Sequence, residues 1–192
     1  MSRLGDTLGD FVTRFATSYR LTLVGGLAVS VRTEPRFTRD VDFCVAVASD
    51  ADAEALIYSA QQLGYLVEDT LEQAGTKQLS TVRLRRRKDP IVDLLFAACG
   101  IEAEIAAAAT TLDVLGHQVP VATIGHLIAM KLLSRDAKTR PRDEQDLVAL
   151  AQEADAIEWA RASASVELIE SRGFARKRDL KAALNDLIVS LR

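Results

Sequence analysis

Aromatic side chains make up only 5% of this 192-residue chain, which also has just two histidines, two cysteines and four prolines. Cys44 and Cys99 lie in apolar runs without CxxC spacing, which excludes a zinc ribbon or a redox pair. They are expected to be buried free thiols in a reducing compartment. No apolar run approaches the ~20 residues that cross a bilayer. Asp93 interrupts IVDLLFAACGI and Lys131 interrupts LIAMKLL. The segment MSRLGDTLGDF lacks a charged region followed by an apolar stretch, so no secretory signal is read there, and a cytoplasmic protein without a membrane partner is expected. An excess of positive charge is missing too. Against 24 Lys and Arg stand 27 Asp and Glu, a formal charge of -3, so the average gives no reason to expect nucleic acid.

What is present is unevenly placed. Residues 50–75 carry six acids and no Lys or Arg, whereas RLRRRK at 83–88 carries five bases, and 131–142 carries five bases against Asp136. With 48% hydrophobic residues the chain can bury a core as one domain or a closely joined pair. Leu8, Phe11, Val12, Phe15 and Ala16 recur at helical spacing. LTLV at 21–24 is a short strand ending in Gly25-Gly26, and LAVSVR continues as a helix. VDFCVAV at 41–47 is a second strand, followed by a helix across DADAEALIYSAQQLG. Strands are expected at 65–68, 78–86 and 91–97, with a short β-rich piece in TLDVLGHQVPVAT. Helices follow at about 123–136, 143–154, 156–170 and 178–190, with Thr123 a suitable N-cap for the first. The fold class is therefore α+β: a mixed-sheet core over 1–122, then a helical bundle over 123–192.

Chemistry concentrates in LVGGLAVSVRTEPRFTRDVDFCV. Two glycines at a strand-to-helix turn let backbone approach a phosphate, although ordinary turns use the same pair. Asp40 and Asp42, separated by one residue on a strand, point to one face. Such a pair suits Mg²⁺ shared with substrate phosphates, or else marks a solvated strand end. Asp93 interrupts a run that reads as buried. If its strand lies beside 41–47, three carboxylates converge, and the third holds a second metal or takes a proton; otherwise it partners one of Arg83–Arg87. Lys131 and Asp146 sit on apolar helix faces, as an interhelical salt bridge or as one wall of a site. The bases Arg83, Arg85, Arg86, Arg87, Arg135, Lys138, Arg140 and Arg142 form two patches suited to an RNA backbone, or simply solvated faces. Thr38 stands two residues before Asp40; a phosphoryl group there would add negative charge beside the site, a regulatory possibility next to that of a plain loop threonine.

Gly25-Gly26, thirteen residues, then Asp40-Val41-Asp42 resembles the signature of the DNA polymerase β-like nucleotidyltransferase superfamily. KLLSRDAKTRPRDEQDL at 131–147 is similar to the lysine-to-aspartate segment of its AbiEii/MenT toxin branch. The resemblance implies a nucleotidyltransferase core with a C-terminal helical bundle and a Mg²⁺ cofactor. Gly25, Gly26, Arg39 and Lys131 would bind the nucleotide, Asp40 and Asp42 would hold the metal with Asp93 as a less regular third ligand, and Asp146 would support the site. Position 26 is glycine where many superfamily members have serine, which removes a hydroxyl but not the backbone contact. The implied reaction is transfer of a nucleoside monophosphate from a nucleoside triphosphate to the 3′ end of tRNA, blocking aminoacylation, with a cognate antitoxin as protein partner. Two other readings remain open: a small-molecule nucleotidyltransferase of the aminoglycoside-modifying kind, and a non-catalytic module of the same fold that only binds RNA or protein.

Overall fold

The computed structural model describes residues 3–73, 77–135 and 141–191. Helix α1 (Arg3–Phe15) leads into strand β1 (Arg20–Val24), helix α2 (Gly25–Arg32), β2 (Val41–Ala46), α3 (Asp50–Gln62), β3 (Leu66–Glu72), β4 (Leu79–Arg85) and β5 (Val92–Leu95). Helix α4 (Glu102–Ala108), strands β6 (Thr110–Val114) and β7 (His117–Val121), and helices α5 (Ile124–Ser134), α6 (Pro141–Glu153), α7 (Ala156–Ser171) and α8 (Leu180–Ser190) complete it. The expectation of a mixed sheet followed by helices describes this order. Helix α1 begins earlier than the spacing at Leu8–Ala16 suggested, and the Ala-rich stretch after Ile101 forms α4.

Among the described residues seven strands make one sheet in the order β3-β4-β5-β2-β1-β7-β6. β2 runs antiparallel to β1 and parallel to β5, and β1 pairs parallel with β7. Central strands β1, β2 and β5 are short and nearly all apolar, as strands covered on both faces must be. On one face α1 inserts Leu8, Phe11 and Phe15, all buried. Phe11 stacks on Phe43 at 5.4 Å and meets Tyr65 edge-on at 5.7 Å. Burying one such ring is worth roughly 2–3 kcal/mol. Strand β3 is the exposed edge, and its Glu68, Asp69 and Glu72 discourage pairing with another chain.

The later helices start where acids cap them. Asp155 accepts from the Glu158 N–H at α7, and Asp179 from the Ala182 N–H at α8. Thr123 is the N-cap of α5, but its hydroxyl meets His126 Nδ1 at 3.0 Å instead of a backbone N–H. Helix α5 crosses α7 at Gly125, where a Cβ would lie 2.4 Å from the Glu158 carbonyl oxygen. That close crossing holds the face of α5 bearing Leu127, Met130 and Lys131 along the cleft described next. Among the described residues no helix is long and apolar enough to cross a membrane.

Candidate active site

One row of residues crosses four strands. Val24 on β1 is opposite Asp42 on β2, Asp42 is opposite Asp93 on β5, and Asp93 is opposite Arg83 on β4. Directly paired residues share a face, so Asp42 and Asp93 are like charges side by side, an arrangement that costs stability unless a cation answers it. Arg83 does so, with a two-pronged grip on Asp93: Nε donates to Oδ1 at 2.9 Å and Nη2 to Oδ2 at 2.7 Å. That hydrogen-bonded pairing, with the charges of Asp93, Asp40 and Asp42, pushes the guanidinium's pKa upward against the effect of burial. Asp40 lies one residue before β2. Burial and then the charge of Asp93 raise its carboxyl above the usual range, while Arg83, Arg85 and Arg39 pull it down.

Of the expected set, Asp42 and Asp93 stand side by side in this row, Asp93 engaged by an arginine, and Asp40 lies two positions before Asp42. Among the described residues no three His, Cys, Asp or Glu side chains gather into a metal cage. The adjoining pair Asp40 and Asp42 fits Mg²⁺, which commonly takes one or two carboxylates and completes its shell from phosphates and water. The shape around Asp42 agrees. Gly25 has φ of 65°, and a Cβ there would stand 2.1 Å from Asp42 Oδ2, so the glycine is what lets carboxylate and turn come together.

Gly25 and Gly26 open α2, whose N-cap Val24 supplies no side-chain cap. A Cβ on Gly26 would meet Arg36 Nη2 at 2.9 Å and Thr38 Oγ1 at 3.2 Å. Thr38 is therefore beside the glycine turn. Arg39 is exposed, and its guanidinium lies 5.6 Å from the centre of the Phe37 ring.

Opposite the sheet, Lys131 on α5 donates to Asp143 Oδ1 at 2.6 Å and pairs with Asp146 Oδ2 at 2.7 Å, both on α6. Asp146 is 2% exposed, and the same oxygen accepts from Arg36 Nη2 at 2.7 Å. Ser134 donates to Asp143 Oδ2 at 2.9 Å. Lys131 makes the interhelical salt bridge and, with Ser134, also lines a cleft of about 610 Å³ together with Gly25, Asp42, Arg83 and Asp93; Asp146 is not among the lining residues. The rest of that cleft is largely apolar, with Leu95, Leu127, Met130, Leu133 and Phe174. Its floor at 98–100 is fixed by buried Glu102, whose Oε1 accepts from the N–H groups of Ala98, Cys99 and Gly100 at 2.7, 2.7 and 3.2 Å. Cys44 and Cys99 are buried free thiols as expected, and burial holds both well above the normal thiol range.

The basic runs divide. Arg83 faces the carboxylates. Arg85 pairs with Glu68, and Arg86 pairs with Asp10 and Asp89 and covers the Tyr65 ring, tying β4 to α1. Arg87 is exposed, Arg135 pairs with Glu144, and Arg142 is exposed. Lys138 and Arg140 lie outside the described residues. Sequence reasoning missed Arg36, Ser134 and Asp143. The signal was partly there: Ser134 is three residues after Lys131, and Asp143 three before Asp146, each pair on one helix face. Arg36, in a loop, carried no periodic signal.

A mixed sheet whose first strand turns through two glycines into a helix, beside an acidic pair on the next strand, has the architecture of the nucleotidyltransferases. A crystal structure of an antigenic nucleotidyltransferase-like protein from Paracoccidioides brasiliensis shares this fold, with a TM-score of 0.53 and 18% identity over 95% of this chain and 92% of that one. The lincosamide antibiotic adenylyltransferase LnuA, solved with lincomycin bound, superposes with a TM-score of 0.49 and 13% identity, covering 78% and 95% of the two chains. The antibiotic-resistance factor ANT(2'')-Ia superposes at 0.47 with 18% identity, covering 98% and 96%. No curated protein matches the sequence. Residues 8–190 match the family described as "Nucleotidyl transferase AbiEii toxin, Type IV TA system". The chain belongs to the AbiEii nucleotidyltransferase toxin family.

Proposed function

We propose that this protein moves a nucleoside monophosphate from a nucleoside triphosphate to the 3′ end of tRNA, which blocks aminoacylation and so arrests translation and growth. The observation that carries the reading is that the glycine turn, the acidic row and Lys131 all meet in a single cleft. On this reading residues 1–122 are the catalytic core, 123–192 the helical bundle, and the substrate lies between them. The N–H groups opening α2 and the ammonium of Lys131 receive the triphosphate. Asp40 and Asp42 are the residues that would hold Mg²⁺, which when bound supplies neutralising charge at the phosphates. The acceptor hydroxyl oxygen bonds to the α-phosphorus as the bond to the bridging oxygen of the β-phosphate breaks. Pyrophosphate leaves, and the hydroxyl proton departs by way of the carboxylate row. Positioning and charge account for most of the acceleration.

Arg87 and Arg142, with Arg85 and Arg135 released from half-exposed ion pairs, supply cationic contacts for the RNA backbone, while Arg86 stays tied to Asp10 and Asp89; Lys138 and Arg140 extend that patch in the sequence. An antitoxin protein is the partner in a cytoplasmic toxin–antitoxin pair. Thr38, beside Gly26, is the position at which a phosphoryl group would oppose triphosphate binding. Full activity of a Thr38→Glu protein would refute that regulatory role.

The direct test incubates the protein with each radiolabelled nucleoside triphosphate, Mg²⁺ and total tRNA. Label at the tRNA 3′ end, lost in Asp40→Ala and weakened by rising salt, is the expected result. The apolar part of the cleft favours one second reading, a small-molecule acceptor. Labelled small molecules with no labelled tRNA would support it. Toxicity that survives Asp40→Ala without any transfer would instead mean a binding module.

A further inference from the structure

The cation nearest the glycine turn was not foreseen from the sequence. Arg36 enters from the loop between α2 and β2 and lays Nη2 where a side chain at position 26 would otherwise be. Among the described residues the guanidinium has one partner, Asp146, through Nη2 at 2.7 Å. Its Nε is buried and has no hydrogen-bond partner among those residues. A guanidinium carries five N–H donors, so one contact leaves most of its capacity unspent. Asp146 is buried, and its Oδ2 joins Arg36 to Lys131, which sits in the cleft. One acid thus aligns two cations, Arg36 beside Gly26 and Lys131 in the cleft.

We infer that Arg36 is a nucleotide-binding residue whose guanidinium contacts the triphosphate, that Gly26 is glycine because its absent side chain seats that guanidinium, and that Asp146 is the positioning residue for both cations. This rests on the nucleotidyltransferase reading above and adds the second cation of its phosphate site. Arginine suits the task because its planar fork meets phosphate oxygens in pairs, which an ammonium cannot do. Gly26 and Arg36 then act as one unit. The 2.9 Å contact of a new Cβ falls on the far end of a flexible side chain, so Gly26→Ala displaces the guanidinium while leaving the backbone in place.

The test is equilibrium binding of radiolabelled ATP, CTP, GTP and UTP in the presence of Mg²⁺, which needs no acceptor, together with the thermal midpoint of each free protein. Arg36→Ala is expected to weaken binding of the preferred nucleotide by about 10- to 100-fold, the range of a lost hydrogen-bonded contact to a charged group. Arg36→Lys should recover part of that loss. Gly26→Ala should weaken binding to a similar extent while lowering the thermal midpoint less than Arg36→Ala does, and adding it to Arg36→Ala should weaken binding no further. If Arg36→Ala does not fold, Gly26→Ala decides alone. Wild-type affinity in Arg36→Ala, or a double variant that loses as much again, overturns the inference and leaves the enzyme reading standing. A wild-type protein that binds none of the four nucleotides overturns the enzyme reading itself.

Discussion

His126 lies in the first turn of α5, 3% exposed, its Nδ1 held at 3.0 Å by the Thr123 hydroxyl. Burial, and after it the charge of Arg161, push the imidazole down to about 4 from the ordinary 6.5, against opposing pulls from Glu158 and Glu104. The ring is therefore neutral in the folded protein well below the pH at which the unfolded chain binds a proton. Between those two values the unfolded state holds more protons, so stability falls as pH falls. It is fully present above about pH 6.5, drains away toward pH 4, and levels off once both states are protonated. A downward shift of about 2.5 units at 1.36 kcal/mol per unit amounts to about 3 kcal/mol, a large part of a small protein's stability. The assay is guanidinium denaturation of wild type and His126→Gln, which can hydrogen-bond but does not titrate here, at neutral pH and near pH 4. Other groups titrate in both proteins, so the difference between them isolates the ring. Wild type should lose about 3 kcal/mol more than the variant over this interval. Because α5 carries Lys131 into the cleft, nucleotide binding should decline over the same range. Parallel pH profiles for the two proteins would refute the account.

Three further outcomes follow from contacts in and around the cleft. Glu102→Ala leaves three N–H groups at 98–100 without their carboxylate and should cost roughly 3–5 kcal/mol in urea denaturation, whereas Glu102→Gln, which keeps an acceptor oxygen, should cost about 1; equal losses would mean the oxygen does not organise the loop. Gly25→Ala forces an L-residue to φ of 65° and drives its Cβ into Asp42. It should lose at least about 100-fold in nucleotidyl transfer while costing about 1–2 kcal/mol in stability, so unimpaired transfer would argue against the turn. Gly125→Ala should destabilise by about 3 kcal/mol, because the new Cβ meets the rigid backbone of α7; a change under 1 in thermal or chemical unfolding would show that the crossing relaxes freely.

The chemistry was readable because its residues crowd into short stretches. Gly25, Gly26, Asp40 and Asp42 lie within eighteen positions, and the glycine pair marks the strand-to-helix turn locally. Helices α5–α8 were visible from apolar spacing and caps, which are also local. Other features had no local expression. The basic run RLRRRK reads as a single patch, yet Arg83 and Arg85, on one face of β4, reach to opposite neighbouring strands, Arg83 to Asp93 on β5 and Arg85 to Glu68 on β3, and Arg86, past the strand end, goes to α1. Thr123 has the sequence of a capping residue, but its hydroxyl is taken by the ring three positions on.

By itself the sequence determined the family and the α+β class and carried the acids and glycines of the proposed site, because periodicity and tight motifs act over a few residues. Tertiary structure alone decided which charges meet. The parallel pairing of β2 with β5 sets Asp93 against Asp42, and the packing of α5 on α6 places Lys131 between two acids. The loop after α2 brings Arg36 110 positions along the chain to Asp146. Coulomb energy depends on distance in space, and a chain order carries that distance only after folding.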